Sequence, residues 1–541
     1  MNRYVWLLLL CLGLNVPFNL CAQDKPGPKL VVGLVIDQMR WDYLYRYADR
    51  YESGGFKRLL REGFSCENTF IPYTPTYTGA GHACVYTGSV PSLNGIMGNN
   101  WYSKAERRVV YCTEDASVQT VGSSSTAGQM SPRYLWSTTI SDELRLAQNF
   151  KNKTIAIAFK DRGAILPGGH SANAAYWFDA ATGGFISSTY YMSALPAWLT
   201  AFNAKKLPDA YVKKGWNTLF PIASYTQSTT DSQEYENIIP NEDNTFPHRT
   251  DNISGNKYET FRYLPAANTF TFDMAKAAIE GEALGKRGVT DMLAISCSTP
   301  DHLGHSTGPN SIEAEDMYLR LDKDIALFLT YLDGTVGKGQ YVFFVSADHG
   351  VAHVPRFLQQ HKIPAGTLDD AEIRNRLNAG LLKNYNVTGA ITSLINYQVY
   401  LNDSVLALKG LNKAVIKKNL IDSLMVIPGI TKAIDLENIQ TAGLPDAVEK
   451  MVVNGYNQKL SGDIQFMYLP QWFDGGSKGT THGSWNPYDS HIPLLWFGWN
   501  IKPGRSYQTR YMSDITPTLA ALLHIQMPNA SVGNVIDEML K

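Results

Sequence analysis

The sequence predicts an α/β fold with a doubly wound, mostly parallel central sheet and helices on both of its faces. Helical patterns such as 55–61, 311–332 and 515–523 alternate with apolar, β-branched runs that end abruptly in polar residues, as buried parallel strands do. Five such runs occur, at 30–36, 154–159, 291–297, 341–346 and 492–497. A sheet of this kind binds its ligand beyond the carboxyl ends of its strands.

Two long segments interrupt this alternation. Residues 165–285 are rich in Tyr, Trp, Asn and Ser, and residues 351–480 contain short helical and strand-like pieces with many Gly and Asn. Both segments are too long to be connecting loops. We therefore expect residues 23–541 to form a single domain in which the two insertions make a cap over the strand ends.

Composition limits the class of partner. The 541 residues are 44% hydrophobic and 18% charged, which suffices for a large core, and their formal net charge is -1. A chain without a long basic run lacks the positive charge that binds the phosphate backbone of a nucleic acid. We expect no nucleic acid as a specific partner.

The first 22 residues have the pattern of a secretory signal peptide. Arg3 supplies the positive end, residues 4–14 the apolar stretch, and Leu20, Cys21 and Ala22 the cleavage region. The apolar stretch is too short to span a bilayer, and no later segment is suited to do so. Leu20 stands where a lipidation signal wants a small residue, so an anchor at Cys21 is not expected. The predicted location is periplasmic or secreted.

Four cysteines remain after this cleavage, and they are Cys66, Cys84, Cys112 and Cys297. None belongs to a Cys-x-x-Cys motif, which makes a cysteine-ligated zinc or a thioredoxin-like redox site improbable. An exported protein can form disulfides, but sequence alone leaves their pairing open.

Acidic and histidine residues occur near the ends of the predicted strands, and these are Asp37, Asp301, His305, Asp348, His349 and His482. Carboxylate oxygen and imidazole nitrogen suit zinc, and this set suffices for two ions if a nucleophile and a substrate add oxygens. Asp37 taken alone favours the role of a helix cap or turn residue over that of a ligand. The pair Asp348-His349 favours a ligand, because such residues are costly to bury without a partner.

A hydroxyl-rich turn, residues 74–82, leads into a short helical segment at 83–86. Thr78 is the best-placed nucleophile there, because Gly79 and Gly81 allow close backbone approach and a helix start offers N–H groups to an anion. A metal ion would lower the pKa of its hydroxyl group. A helix N-cap is the competing role for Thr78.

Cationic side chains follow the second predicted strand. Arg162 offers a planar fork for two phosphate oxygens and Lys160 a compact charge, and an extended backbone would put both on one side, with Asp161 on the other. Asn99 could donate to phosphate from a second turn. A solvated turn at 160–162 and a turn cap at Asn99 are the alternatives.

These motifs together resemble the alkaline phosphatase superfamily, in particular the branch of phosphate-irrepressible bacterial alkaline phosphatases with a threonine nucleophile. The matching stretches run in the family's order from residue 33 to 493, and they are GLVIDQMR, TPTYTGAGHA, GNNWY, KDRGAILPGGH, STPDHLGH, SADHG and GTTHGSWNPYDSHIP.

The resemblance implies two Zn²⁺ ions per chain. It assigns Asp37, Thr78, Asp348 and His349 to one ion, and Asp301, His305 and His482 to the other. It further implies that Asn99, Lys160 and Arg162 contact the phosphoryl oxygens. His302 is expected to form a wall of the site, and three further histidines are not expected to be ligands; these are His82, His170 and His491.

The resemblance implies a secreted, zinc-dependent alkaline phosphatase. This enzyme would hydrolyse small phosphate monoesters through a phosphothreonine intermediate to an alcohol and inorganic phosphate. We expect it to be a monomer. A phosphodiesterase or nucleotide pyrophosphatase on the same scaffold is the main alternative, but such relatives lack the pair formed by Lys160 and Arg162. Sulfatase chemistry is not expected, because Thr78 stands where those relatives have a Cys or Ser motif. A binding protein without catalysis and a phosphoglycerate mutase are less compatible with the motifs.

Overall fold

The computed structural model describes residues 27–540 except 238, 240–243, 252 and 254. The predicted signal peptide therefore lies outside the described residues. The strands, in chain order, are β1 Leu30–Ile36, β2 Phe64–Phe70, β3 Asn100–Ser103, β4 Arg108–Tyr111, β5 Thr120–Val121, β6 Thr154–Ala158, β7 Ala174–Asp179, β8 Gly184–Ser188, β9 Asp291–Cys297, β10 Tyr341–Ser346, β11 Gly366–Leu368, β12 Ile391–Ile395, β13 Gln398–Leu401, β14 Ile430–Asp435, β15 Ile464–Tyr468, β16 Trp472–Asp474, β17 His491–Ile492, β18 Leu494–Gly498 and β19 Gly504–Tyr511.

Eleven of these strands form the central sheet, in the order β17-β2-β18-β10-β1-β9-β6-β7-β8-β5, with β19 beside β2. The strands β10, β1, β9, β6 and β7 are consecutive and parallel. The first four of them are buried along their whole length, which explains their nearly continuous apolar sequence. The predicted α/β fold with a mostly parallel central sheet is confirmed.

The direction of the last predicted strand is different from our expectation. Residues 492–497 were predicted to be parallel, but β18 pairs antiparallel with β10, with Phe343 opposite Phe497. An antiparallel strand begins at the edge of the sheet where its parallel neighbours end. His482, which precedes β18, can therefore still reach the carboxyl edge of the parallel strands.

Helices cover both faces of the sheet. They contribute side chains such as Val85, Ile165 and Phe328 to the apolar core. The helices are Tyr43–Arg46, Phe56–Glu62, Thr78–Thr87, Pro91–Asn94, Ile140–Ala147, Asp161–Gly168, Ala197–Ala204, Leu207–Lys214, Lys257–Phe261, Ala266–Gly281, Thr299–Thr307, Ile312–Leu332, Pro355–Gln360, Asp370–Tyr385, Asp403–Leu408, Lys413–Met425, Asp446–Gly455, Pro487–Ser490, Ile515–Leu523 and Asp537–Leu540. Helical turns of 3-10 or π type occur at Ala48–Arg50, Ile222–Ser224, Asp333–Gly337, Leu436–Thr441 and Met512–Asp514.

The two long insertions are organised differently. Residues 165–285 include β7 and β8, which extend the central sheet. Residues 351–480 form a separate four-stranded sheet in the order β12-β13-β15-β14, with an apolar cluster of its own that includes Leu377, Ile416 and Phe466. The interpretation of both segments as a cap on one domain stays a prediction.

Two simpler expectations concern cysteines and membranes. The four cysteines that remain after the predicted cleavage are all buried and free. Within the described part of the chain, no helix has the length and apolar character needed to cross a bilayer.

Candidate active site

The candidate site lies where the parallel strands end. Asp37 follows β1, and Asp348 and His349 follow β10 after one further residue. Asp301 and His305 lie one turn apart on the helix Thr299–Thr307, which begins just after β9, so both point from the same helix face. Because these strands are neighbours in the sheet, residues far apart in sequence come together at one edge.

Two groups of side chains could each hold a metal ion. One comprises Asp301, His305 and His482, and the other Asp37, Asp301 and His349. The first group is the set that the resemblance assigned to one ion. Asp301 belongs to both groups: its Oδ1 atom lies 3.1 Å from Nε2 of His305, 3.7 Å from that of His482 and 4.0 Å from that of His349.

The three histidines share a hydrogen-bond pattern that prepares them as ligands. Nδ1 of His305, His349 and His482 lies 2.8, 2.9 and 2.7 Å from a backbone carbonyl oxygen. A carbonyl oxygen only accepts, so Nδ1 donates in each of them and Nε2 is the nitrogen that faces the site. Burial, followed by the charges of His349 and His305, holds the pKa of His482 well below its usual range. Neutral imidazole is the form that binds metal.

Buried carboxylate oxygens without hydrogen bonds also fit a metal. Within the described chain, Oδ1 of Asp37 and Oδ2 of Asp348 are buried and accept no hydrogen bond. Burial, together with the charges of Asp301 and Asp348, raises the pKa of Asp37 well above its usual range. Bare carboxylate oxygens in a protein interior are costly unless a cation compensates them. The donor set of Asp oxygens and His nitrogens is one that suits zinc.

Lys160 brings a positive charge into this group. Its Nζ atom donates to Oδ2 of Asp37 over 2.7 Å and to Oδ2 of Asp301. Burial opposes the charge of Lys160, but the attraction of Asp301 and Asp37 outweighs burial and raises its pKa. Lys160 therefore stays protonated where its ammonium group faces both metal-capable groups.

Thr78 lies at the first position of the helix Thr78–Thr87, which begins five residues earlier than expected. The competing N-cap role is wrong, because Tyr77 occupies the cap position. The Thr78 hydroxyl lies 3.2 Å from Nε2 of His349 instead. A Cβ atom on Gly81 would lie 2.5 Å from the backbone oxygen of Asp348, so glycine is needed for the helix to approach the strand end this closely.

Asn99 is turned toward the start of the same helix. Its Oδ1 atom accepts a hydrogen bond of 2.8 Å from the backbone N–H of Gly79. The amide oxygen is thereby committed to the protein, and the amide NH₂ group is the part that can donate to a ligand. Thr78 and Asn99 are thus tied together through Gly79.

The backbone at Arg162 differs from our expectation. We expected an extended chain that places Asp161 opposite Lys160 and Arg162, but a helix begins at Asp161 because the backbone turns after Lys160. Arg162 and Asp161 consequently meet at one residue: the Tyr111 hydroxyl accepts from Arg162 over 2.9 Å and donates to Asp161 over 2.8 Å. Tyr111 therefore orients the guanidinium group.

Sequence reasoning missed Gln38, the residue after Asp37. Its backbone has a positive φ of 67°, its N–H donates to Asp348 over 3.1 Å, and its Nε2 atom donates to Oδ1 of Asp301 over 2.7 Å. Gln38 thereby ties together the acidic ends of β1, β9 and β10. Only its position beside Asp37 could have indicated this, because a positive φ at glutamine leaves no mark in the sequence.

The discounted histidines have other partners. His82 is buried, with Nδ1 3.0 Å from the carbonyl of Thr78 and 3.4 Å from Asp348, and Nε2 2.9 Å from Ser296. His302 is packed near Tyr263, and burial and then the charge of Lys160 lower its pKa. His170 and His491 each lie within hydrogen-bond distance of a backbone carbonyl. None of them belongs to a metal-capable group within the described residues.

Comparisons with known proteins identify the family of this chain. Residues 31–438 match the family model of type I phosphodiesterase / nucleotide pyrophosphatase. Alkaline phosphatase PhoV of Synechococcus elongatus is 50% identical over 98% of this chain and 99% of its own length. A protein of Myroides odoratus named calcium-transporting ATPase is 49% identical over 97% of each chain.

Alkaline phosphatase PafA of Elizabethkingia meningoseptica is 47% identical over 95% of each chain. A crystal structure of wild-type alkaline phosphatase PafA superposes with a TM-score of 0.94 at 46% identity, over 96% of this chain and 100% of that one. The chain therefore belongs to the type I phosphodiesterase / nucleotide pyrophosphatase family, within the alkaline phosphatase superfamily.

Proposed function

We propose that the protein is an alkaline phosphatase that hydrolyses phosphate monoesters to an alcohol and inorganic phosphate. The observation that carries the proposal is the position of Thr78 and Lys160. Thr78 at the start of its helix and Lys160 just after β6 face the same cluster of carboxylates and histidines. A hydroxyl nucleophile, a fixed cation and two metal-capable groups are the parts that phosphoryl transfer needs.

We infer two zinc ions per chain. Asp37, Thr78, Asp348 and His349 would hold one, and a second group would hold the other, namely Asp301, His305 and His482. When bound, the ions would act as Lewis acids that lower the pKa of the Thr78 hydroxyl and offset charge on the leaving oxygen. Metal analysis of the purified protein tests this, with two zinc atoms expected for the wild type and one for His482→Ala.

Thr78 supplies the nucleophile. Its Oγ1 atom loses a proton to solvent and bonds to phosphorus, while the bond to the ester oxygen breaks and the alcohol leaves after taking a proton from solvent. Water then displaces Thr78 from phosphorus, which releases inorganic phosphate and restores the hydroxyl group. The N–H groups at the start of the helix Thr78–Thr87 favour an anion at this position.

Lys160, Arg162 and Asn99 act on the non-bridging oxygens of the phosphoryl group. Lys160 presents a compact charge, Arg162 a planar fork held by Tyr111, and Asn99 the amide NH₂ group that its bond to Gly79 leaves available. Fixed donors of this kind stabilise charge in the transition state without reorganising. A dianionic monoester has one more anionic oxygen than a diester and gains more from them.

The family model carries the name of a phosphodiesterase, so hydrolysis of phosphodiesters is the second candidate. A panel of a phosphate monoester, its methyl diester and ATP separates the possibilities with the zinc-loaded wild type. We expect the monoester to give the largest kcat/KM. A larger value for the methyl diester would overturn the proposal.

We further propose that residues 1–22 direct export and are removed, so that the mature protein acts in the periplasm or outside the cell as a monomer. The positive end, apolar stretch and cleavage region of that segment support this. N-terminal sequencing of the exported protein should find a residue near position 23, and light scattering should give the mass of one chain.

A further inference from the structure

The hairpin of β12 and β13, which belongs to the second insertion, reaches the candidate active site with its tip. Ile395 pairs with Gln398 across the turn, so Asn396 and Tyr397 alone reverse the chain. Their φ angles are 57° and 61°. Two-residue hairpins with positive φ at both positions favour Asn followed by Gly. Tyrosine adopts this conformation rarely, and strained positions of this kind cluster at functional sites.

Asn396 holds the segment that carries Asn99. Its Nδ2 atom donates a hydrogen bond of 2.7 Å to the backbone oxygen of Asn100, on one side of Asn99. On the other side, a Cβ atom on Gly98 would lie only 3.0 Å from the same Nδ2 atom. The side chain of Asn396 thus lies against both neighbours of Asn99.

Tyr397 holds the segment that carries His482. Its hydroxyl donates to the backbone oxygen of His482 over 3.3 Å, and a Cβ atom on Gly483 would lie 2.7 Å from that hydroxyl. The Tyr397 ring also stacks on Tyr77, the residue before Thr78, with 6.3 Å between ring centroids. Tyr77 in turn packs edge-on against His482 at 5.6 Å.

We propose that Asn396 and Tyr397 are positioning residues of the reaction, through which the second insertion holds Asn99 and His482 in place. The inference rests on the proposed function, in which Asn99 contacts the phosphoryl group and His482 holds a metal ion. It gives the hairpin tip a role that no motif in its own sequence indicates. Asn396 acts on phosphoryl binding, and Tyr397 on retention of the metal.

Two substitutions remove these contacts while keeping the backbone. Asn396→Gly removes the amide, and glycine adopts positive φ freely. Tyr397→Phe removes the hydroxyl and keeps the ring. Asn386→Gly is a matched control in the same insertion, because Asn386 is exposed and has a φ of 49°. Tyr400→Phe is the matched control for Tyr397→Phe. It also removes a hydroxyl that donates to a backbone oxygen, in this case to that of Leu460 over 3.1 Å.

We expect Asn396→Gly to lower kcat/KM for a phosphate monoester by about 10-fold and Tyr397→Phe to speed zinc loss to a chelator by about 5-fold, as loss of one positioning hydrogen bond would. The two controls should change either quantity by less than about 2-fold. Thermal unfolding of each variant should match that of its control, which separates positioning from general stability. Asn396→Asp, which keeps the side-chain size and loses the N–H donors, should repeat the effect of Asn396→Gly.

Zinc loss is measured without substrate, so it separates this inference from the proposed function. A wild type that holds zinc but leaves monoesters intact would overturn the proposed function, while the zinc-loss comparison would still test Tyr397. Zinc loss at the wild-type rate in Tyr397→Phe would overturn the assignment of Tyr397. The assignment of Asn396 would be overturned if Asn396→Gly and Asn396→Asp lost no more activity than Asn386→Gly.

Discussion

The ammonium group of Lys160 donates to the Asp37 carboxylate over 2.7 Å, although the two residues follow strands that are not neighbours. Lys160 follows β6 and Asp37 follows β1, with β9 between them in the sheet. The lysine side chain therefore crosses the end of β9, where it also bonds Asp301. One cation thus bridges the two metal-capable groups.

This bridge predicts a stability effect that depends on metal. Lys160→Met leaves Asp37 and Asp301 without their cation, and removing one partner of a buried ion pair costs about 3–5 kcal/mol. We expect a lower free energy of unfolding for the chelator-treated variant than for the chelator-treated wild type. Bound zinc would compensate the carboxylates, so the difference should shrink in zinc-loaded samples. An equal difference with and without zinc, measured by denaturant unfolding, would contradict this.

Thr78 predicts a graded series of activities. Thr78→Ala removes the nucleophile and should lower kcat/KM for a monoester by about 10³-fold or more. Thr78→Ser keeps a hydroxyl group and should retain most of the activity. Acid quenching during turnover should trap phosphate on Thr78 in the wild type and on no residue in Thr78→Ala. Wild-type rates in Thr78→Ala would show that another group attacks phosphorus.

A buried acid predicts how stability changes with pH. Glu236 and Glu313 are buried, and burial together with the charge of Glu313 raises the pKa of Glu236 well above its ordinary value of 4.5. The folded protein therefore holds a proton that the unfolded chain releases near pH 4.5, so the stability present at low pH is lost as pH rises toward the folded pKa.

Glu236→Gln removes this titration. The variant should gain stability over the wild type at pH 9, by about 2 °C or more in Tm, and much less at pH 5. Glu234→Gln, which removes an exposed carboxylate paired with Arg356, is the control. The same change in Tm at both pH values for Glu236→Gln would contradict the prediction.

The sequence predicted those features that are encoded locally. Apolar runs followed by Asp or Lys located β1, β6, β9 and β10, and neighbouring parallel strands brought Asp37, Asp301 and Asp348 to one edge. The roles of these residues stay proposals, but their convergence was foreseeable because parallel strands end together.

Other features depend on contacts between distant segments, and sequence reasoning missed them. The antiparallel direction of β18 is set by its partners β10 and β2, since its apolar residues would suit either direction. Gln38 and Tyr397 adopt positive φ because tertiary contacts impose it, against the preference of both residue types. Arg162 turns toward Tyr111 because a helix begins at Asp161, where the sequence was equally compatible with an extended turn.

We propose that Lys160 and Arg162 make this site selective for monoesters. The most direct test compares kcat/KM for a phosphate monoester and its methyl diester in the zinc-loaded wild type and in the double variant Lys160→Ala, Arg162→Ala. We expect the variant to lose about 10³-fold on the monoester and about 10-fold or less on the diester, because the dianion gains more from two cations. An equal loss on both substrates would show that Lys160 and Arg162 do not select monoesters.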